Sequence, residues 1–453
     1  MQDSKSDWET ESLEMSKIYT YAALNISATG APNNTSGFLN MLEKPLPMLP
    51  RAEPALLPGE TCFLVDPFFW WAEVTRAPLM MRGWVFQERF LAPRVLHFGK
   101  TQMLWECATM DACELYPRGV LDCTKSDGHT DFKNLDFMMP ADLKGNIEGR
   151  SVDLRHTNLT ASPSDMELLH FWCDVIQAYT RTRLTEPKDK LIALAGVAQT
   201  TAELYKGLKP NSSRYVAGTF MHHFLVMLEW HSCSPQHAYT VTTATRPSQY
   251  RAPSWSWASV EGRVFFEYLP RVFSQWDNLR WHPSWGYSIA DWNKKCLPDE
   301  RQLRTPHRQL GWKRLVSSVT AEMVPIAGSD FGQLSDGNIR LTGLVVPVEL
   351  AAKPRLPMFT YQDPPANDSN TWKGTHYLPL RCSKLADDLE KTFFWVTGLI
   401  IEAINPIDSI YRRSGLFCAP SSRAIRALGI SLNKDLHKVH YSGSRQVESL
   451  QII

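Results

Sequence analysis

Arg82-Gly83-Trp84-Val85-Phe86-Gln87-Glu88-Arg89 runs through Phe90-Leu91-Ala92-Pro93 into Arg94-Val95-Leu96-His97-Phe98, and this stretch decides the fold. Met81 to Arg89 reads as a short helix. Arg94–Phe98 and Gln102–Cys107 read as two strands joined at Gly99-Lys100. Working outward, the N-terminus repeats the succession of helix and strand. Trp8, Met15, Tyr19 and Ala22 recur at helical spacing, and Ile18 widens the stripe. Ser4 or Ser6 caps this helix, and Asp7, Glu9 and Glu11 fall in its early turns, where the helix dipole favours acids. Ala23–Ala28 then reads as a short strand, with a loop at Gly30–Asn34. Helix followed by strand predicts an α/β layer. A core helix that opens a chain with nothing before it to pack on also predicts missing upstream sequence.

The rest of the chain divides by composition. Residues 1–110 form the α/β unit, and 111–162 read as a polar loop or insertion. Residues 163–262 read as helical, with helices near 164–183, 188–205 and 214–230, closed by Arg251-Ala252-Pro253-Ser254-Trp255-Ser256-Trp257-Ala258-Ser259. A Trp-rich irregular segment spans 263–312. From 313 to 453 the pattern turns to strands, at Leu315–Met323, Ile339–Val348, Phe393–Ile401 and Ser409–Phe417, as in a small sandwich or barrel.

Bulk properties narrow the function classes. A chain of 453 residues suggests two or three domains, and 43% hydrophobic residues suffice for a substantial core. Lys plus Arg (48) nearly cancel Asp plus Glu (47), so nothing in the composition marks a nucleic-acid binder. The cysteine count is odd (9), the spacing is irregular, and no secretory signal precedes them. Free thiols in a reducing cytoplasm are expected. Cys107, Cys113 and Cys123 lack the partners of a zinc site, so no metal is expected. The most apolar run, Phe393–Ile401, is about half of the ~20 residues that a spanning helix needs, so no membrane span is expected. Neither a GxxxxGK[ST] nor a GxGxxG phosphate loop is present.

Five segments, in order, resemble the fungal heterokaryon-incompatibility (HET) domain family. Asp7-Trp8-Glu9-Thr10-Glu11 with Met15, Ile18-Tyr19 and Ala22 is similar to a helix motif in the second half of that domain. Arg82–Arg89, running into Leu91–Phe98, resembles its closing motif. Asp189–Gly196, Tyr250–Ser259 and Tyr411–Phe417 resemble segments that follow the domain in many members. The family's opening Tyr-x-Trp-Gly strand and its Cys-Ile-x-Gln strand are absent, so the resemblance implies a HET domain that lacks its first strands. It further implies an effector or signalling role in nonself recognition and cell death, with protein partners and self-association. The family has been compared with TIR domains, which share a nucleotide-binding-like α/β fold and in some cases cleave NAD. The fold class expected is therefore α/β (a partial TIR-like HET domain), then a helical segment and a β-rich C-terminal module. No cofactor is expected; NAD enters as a substrate in the hydrolase alternative. An inactive fragment is the third reading.

Candidate site residues follow from spacing. Trp8, Glu11, Met15 and Tyr19 are 3, 4 and 4 residues apart, which turns Glu11 toward the packed face. Desolvation beside Trp and Met would raise its pKa and suit the catalytic role that the TIR comparison implies. The plain alternative is a helix-start acid that satisfies local N–H groups. Arg82, Trp84, Gln87 and Glu88 span under two turns, and Arg94 opens the next strand. They read either as a patch for a phosphate-bearing ligand or acidic partner, or as an internal network that locks the helix to the sheet. Alternation sets His97 opposite Leu96 and Phe98, toward solvent or a cleft, and a satisfied structural histidine is the plainer role. Cys107, next to Glu106, needs a base that the sequence does not name. Trp255 and Trp257 share a face at period two and read as packing rather than a stacking platform.

Overall fold

Helix and strand alternate at the N-terminal end because each element there has one apolar face to cover. The computed structural model describes residues 5–39, 48–52, 62–121, 165–207, 213–232, 244–266, 308–326, 328–348, 359–364, 375–386, 392–419, 422–432, 439–441 and 447–453. Most of the Trp-rich segment and the stretch from 122 to 162 lie outside the described residues.

Helix α1 (Lys5–Thr20) leads to strand β1 (Asn25–Ser27), and helix α2 (Gly83–Leu91) leads to strand β2 (Arg94–Phe98). Strands β3 (Met103–Cys107) and β4 (Met110–Cys113) complete a four-stranded sheet in the order β1-β2-β3-β4. β1 pairs parallel with β2, with Ser27 opposite His97, and the remaining pairs are antiparallel. The sheet is thus mixed. β4 corrects the reading of a loop from residue 111: the alternation is too short to see, but Glu106 pairs with Asp111 and Trp105 with Ala112.

α1 packs through Met15, Ser16 and Tyr19, which are all half-buried. Gly196 presses against the Cβ of Ser16, which centres the packed stripe one residue past the expected line. Ile18 consequently lies 55% exposed.

Helix α3 (Asp165–Tyr179), tight turns at Pro187–Lys190 and Ile192–Leu194, and helix α4 (Ala195–Lys206) form the middle section. The helix expected over 214–230 is replaced by a hairpin, Tyr215–Val216 against Thr219–Phe220, and a single helical turn, Phe224–Met227. Ala217 and Gly218 both take positive φ (43° and 94°), the backbone of a two-residue type I′ turn. The turn is held from outside. The indoles of Trp172 and Trp257 donate to the Gly218 carbonyl at 3.0 and 2.8 Å, and Ser256 Oγ donates to that of Ala217 at 2.6 Å.

The C-terminal strands are β5 (Arg308–Arg314), β6 (Ser317–Pro325), β7 (Leu334–Leu344), β8 (Val346–Pro347), β9 (Phe359–Gln362), β10 (His376–Ala386), β11 (Thr392–Asn405) and β12 (Ile410–Ala419). Helix α5 (Ser422–Ala427), the small pair β13 (Ile430–Leu432) and β14 (Val439–Tyr441), and β15 (Val447–Ile452) follow. Nine of these strands build one sheet, ordered β6-β7-β15-β12-β11-β10-β8, with β9 on β12 and β5 on β10. It curls until Gly343 of β7 faces Leu378 of β10, so the β-rich module is a nearly closed barrel.

The Arg251–Val260 stretch is buried throughout and lies at the centre of the largest core, where Trp172, Trp230, Trp255 and Trp257 are all inaccessible. That core runs from Phe90 and Leu91 through α3 and α4 to Leu450 and Ile452. Trp255 and Trp257 therefore pack, as their spacing predicts.

Candidate functional site

α2 brings the expected residues together and then divides them among neighbours. Its first turn is set by backbone pairing: Arg183 N donates to Met81 O and Gly83 N to Arg183 O, both at 2.7 Å. From there Trp84 Nε1 donates to Asp189 Oδ2 at 3.4 Å, and Gln333 Nε2 donates to Asp189 Oδ1 at 3.1 Å. One carboxylate thus ties α2 to the middle section and the barrel. Burial raises the Asp189 carboxyl, against the lowering effect of these bonds and of Lys188. Gln87 is 1% exposed and sits between Met15 and the N-terminus of α4.

Glu88 meets α1 one turn further along, at Tyr19. Burial raises its carboxyl, while a hydrogen bond with Tyr19 and the charge of Arg82 lower it. Burial and the Glu88 charge push the Tyr19 hydroxyl up in turn. Asn25 Nδ2 donates to Glu88 O at 3.3 Å and joins β1 to the pair. Arg82 and Arg94 are exposed at the margin. The five residues Arg82, Trp84, Gln87, Glu88 and Arg94 therefore do not form one patch. Trp84 and Gln87 lock helices, Glu88 with Arg82 makes a half-buried acid beside a cation, and Arg94 lies at the strand entrance with its guanidinium 3.4 Å from Ala23 O.

Glu11 is exposed, which corrects its expected position on the packed face of α1. The packed line passes through Ser16, and Glu11 falls on the flank beside Ile18.

His97 is fully buried, not turned to solvent. Its Nδ1 lies 2.8 Å from Thr29 Oγ1 and its Nε2 lies 3.1 Å from Glu106 Oε2. Arg89 then grips Glu106 with two bonds, at 2.8 and 2.7 Å. A hydroxyl, an imidazole, a carboxylate and a guanidinium thus run from the turn after β1 across β2 and β3 to α2. Alternation explains the sharing: Ser27, His97, Glu106 and Asp111 occupy one sheet face, under α2 and Trp70. Glu106 for that reason points away from Cys107. Burial raises the Cys107 thiol, but hydrogen bonds from Thr109, Trp105 and Met110 outweigh it and leave the thiol below its ordinary value.

With α1, β1 and α2 placed in one unit, the comparison with known families can be set on the geometry. Residues 1–88 match the family model described as Heterokaryon incompatibility protein (HET). Over that stretch the chain is similar to the HET domain. No curated protein and no solved structure matches it. The HET match covers α1 and β1 and ends within α2 at Glu88, so the Tyr19–Glu88 pair and Arg82 lie inside it, and Arg89 and the rest of the buried polar line beyond Thr29 lie outside. Among the described residues no group of three or more His, Cys, Asp or Glu could hold a metal ion. No helix among them is long and apolar enough to cross a membrane.

Missed by spacing were the three-way Trp84–Asp189–Gln333 tie and the Gln87–Gly196 contact. The Asp189–Gly196 segment stood out in the sequence, but nothing in it names Trp84 or Gln87 as partners.

Proposed function

We propose that this chain is a heterokaryon-incompatibility-type effector or signalling protein in fungal nonself recognition, working in the cytoplasm and leading to growth arrest or cell death. The HET match over residues 1–88 carries this reading. Inside the match, exposed Arg82 beside half-buried Glu88 offers paired charges at the surface, chemistry suited to a protein partner or a second copy of the chain. The same helix is tied through Asp189 to the rest of the molecule, a route by which the downstream modules would restrain the HET segment. The role calls for no bound cofactor. The NAD-cleaving alternative relied on a desolvated Glu11, and the exposure of that residue withdraws its support.

Expression of the full chain in a filamentous fungus tests the reading. Growth should be impaired in proportion to expression, and Arg82→Ala combined with Glu88→Gln should relieve the impairment at unchanged protein level. Normal growth at every expression level would reject the effector role. Undiminished toxicity in the double variant would move the effector surface elsewhere. Incubation of the protein with NAD should release no nicotinamide; release that Glu11→Gln abolishes would establish the hydrolase instead.

A further inference from the structure

A cleft of about 270 Å³ opens where α4 meets the end of the barrel. Ala202, Glu203 and Lys206, on one face of α4, form one part of its lining. Asp330 and Phe331, in the turn between β6 and β7, form a second part, and Arg214 and Tyr215, where the hairpin begins, complete it. Each part is held in place. Gln199, on the same face of α4, accepts the hydroxyl of Ser16 from α1 at 3.3 Å. Gly332 N donates to Ser329 O at 3.1 Å and closes the β6–β7 turn. Tyr215, 3% exposed, stacks its ring on Phe331 with centroids 4.9 Å apart and planes at 20°, so hairpin and barrel share one aromatic surface. Arg214 Nη2 donates to Ala321 O of β6 at 2.6 Å, which anchors the guanidinium and leaves its other N–H groups unused among the described residues.

The charges of this cleft do not all cancel within the protein. Glu203 Oε1 and Lys206 Nζ meet at 2.5 Å and neutralise each other. Arg214 and Asp330 line the same cavity, and among the described residues neither enters an ion pair. One cation and one anion thus stay open beside an aromatic wall. We propose that the cleft binds a small zwitterion of the amino-acid type, with its carboxylate on Arg214, its ammonium on Asp330 and its apolar side chain against Phe331. A guanidinium offers paired N–H donors that fit a carboxylate, and an ammonium is a compact donor to the acid. A polyanion would meet Asp330 and Glu203 as like charges, and a polycation would meet Arg214 and Lys206 in the same way. The volume lies just below the ~300 Å³ at which sites for drug-sized ligands begin, which suits a molecule no larger than one or two amino acids. The site stands apart from the effector role and does not depend on it.

Titration of the full chain with L-phenylalanine in about 0.15 M salt, followed by calorimetry and by thermal melting, tests the assignment. L-phenylalanine should bind and raise the melting temperature. Its amide lacks the carboxylate and 3-phenylpropionate lacks the ammonium, so each should bind about tenfold or more weakly, as expected for loss of one charge-assisted pair. Asp330→Asn should abolish the advantage of L-phenylalanine over 3-phenylpropionate, and Arg214→Gln its advantage over the amide. A merely structural role for either residue would leave both preferences intact. Arg214→Gln also loses the bond to Ala321, and its melting curve reports whether it folds. Asp330 is exposed and its carboxylate enters no hydrogen bond or ion pair among the described residues, so Asp330→Asn should melt like the wild type and decides the matter alone if the arginine variant unfolds. Glycine should bind more weakly than L-phenylalanine, and Phe331→Ala should narrow that difference. Absence of binding by the folded wild-type protein overturns the proposal, as does an affinity for L-phenylalanine that Asp330→Asn leaves unchanged. Equal affinity of the wild type for 3-phenylpropionate and L-phenylalanine overturns it as well, by showing a simple anion site.

Discussion

Gln87 Oε1 accepts the backbone N–H of Gly196 at 3.2 Å, joining residues 109 apart in sequence. The contact closes the junction of α1, α2 and α4. A Cβ at position 196 would lie 2.8 Å from Ser16 Cβ, 2.9 Å from Leu91 Cδ1 and 3.0 Å from Gln87 Oε1. The three helices meet there with no room for a methyl group, so the HET-matched helices are docked through a glycine of the following section.

Gly196→Ala should therefore destabilise the chain by about 1–3 kcal/mol through overpacking. Gln87→Leu should lose a similar amount, about 1–3 kcal/mol, because the buried Gly196 N–H is left unsatisfied. Urea unfolding of each variant and of the pair provides the check, and the two effects should not add, since they act on one contact. Neutral single variants would show that the junction is looser than described.

Glu229 and Arg381, each 3% exposed at the side chain, form a two-bond pair at 2.9 and 2.5 Å, and Thr397 donates to Glu229 at 2.6 Å. Removing one partner leaves a buried charge alone. Glu229→Gln or Arg381→Met should lose roughly 3–5 kcal/mol, and Thr397→Val about 1 kcal/mol, in denaturant unfolding. Single variants that melt like the wild type would contradict the buried placement of the pair.

Lys190 makes stability depend on pH. Its Nζ is buried over Trp257 and donates to Val260 O, with Glu261 3.9 Å away. Burial, then the charge of Arg251, lowers it to about 7, against the opposing pull of Glu261. The unfolded lysine titrates near ~10.4, so between about pH 7 and 10 the unfolded chain binds a proton that the native chain has released. Stability from this group must then rise with pH across that window and stay at its lowest below it. Buried Cys173 and Cys418, whose thiols are raised well above the ordinary value by burial, act in the opposite sense once unfolded thiols ionise. The comparison to make is thus wild type against Lys190→Met, from pH 7 to 9. The difference in unfolding free energy should shift in favour of the wild type as pH rises. A pH-independent difference would mean that Lys190 stays charged.

Much of the fold's element list was legible. Arg94–Phe98, the strand before Cys107 and the helix over Gly83–Leu91 were read from pattern, because each shows its periodicity within its own length. The hairpin at Ala217–Gly218 was not, since apolar residues surround the turn and every position there is buried, which removes the polar marks that usually signal a turn. The candidate site was legible as a set of residues on α2 and not as a set of contacts. Trp84 meets Asp189 across 105 positions.

By itself the sequence determined where α2, β2 and β3 lie and which residues along each share a face, because both follow from a period of 3.6 or 2. Tertiary structure decided which face is covered. Ser16 rather than Glu11 lies under α4, and His97 rather than Leu96 lies under α2. Periodicity relates residues within one element only. Burial depends on what arrives from elsewhere in the chain, and here Gly196 and Arg89 set that outcome by fitting, at close range, against groups that local pattern cannot name.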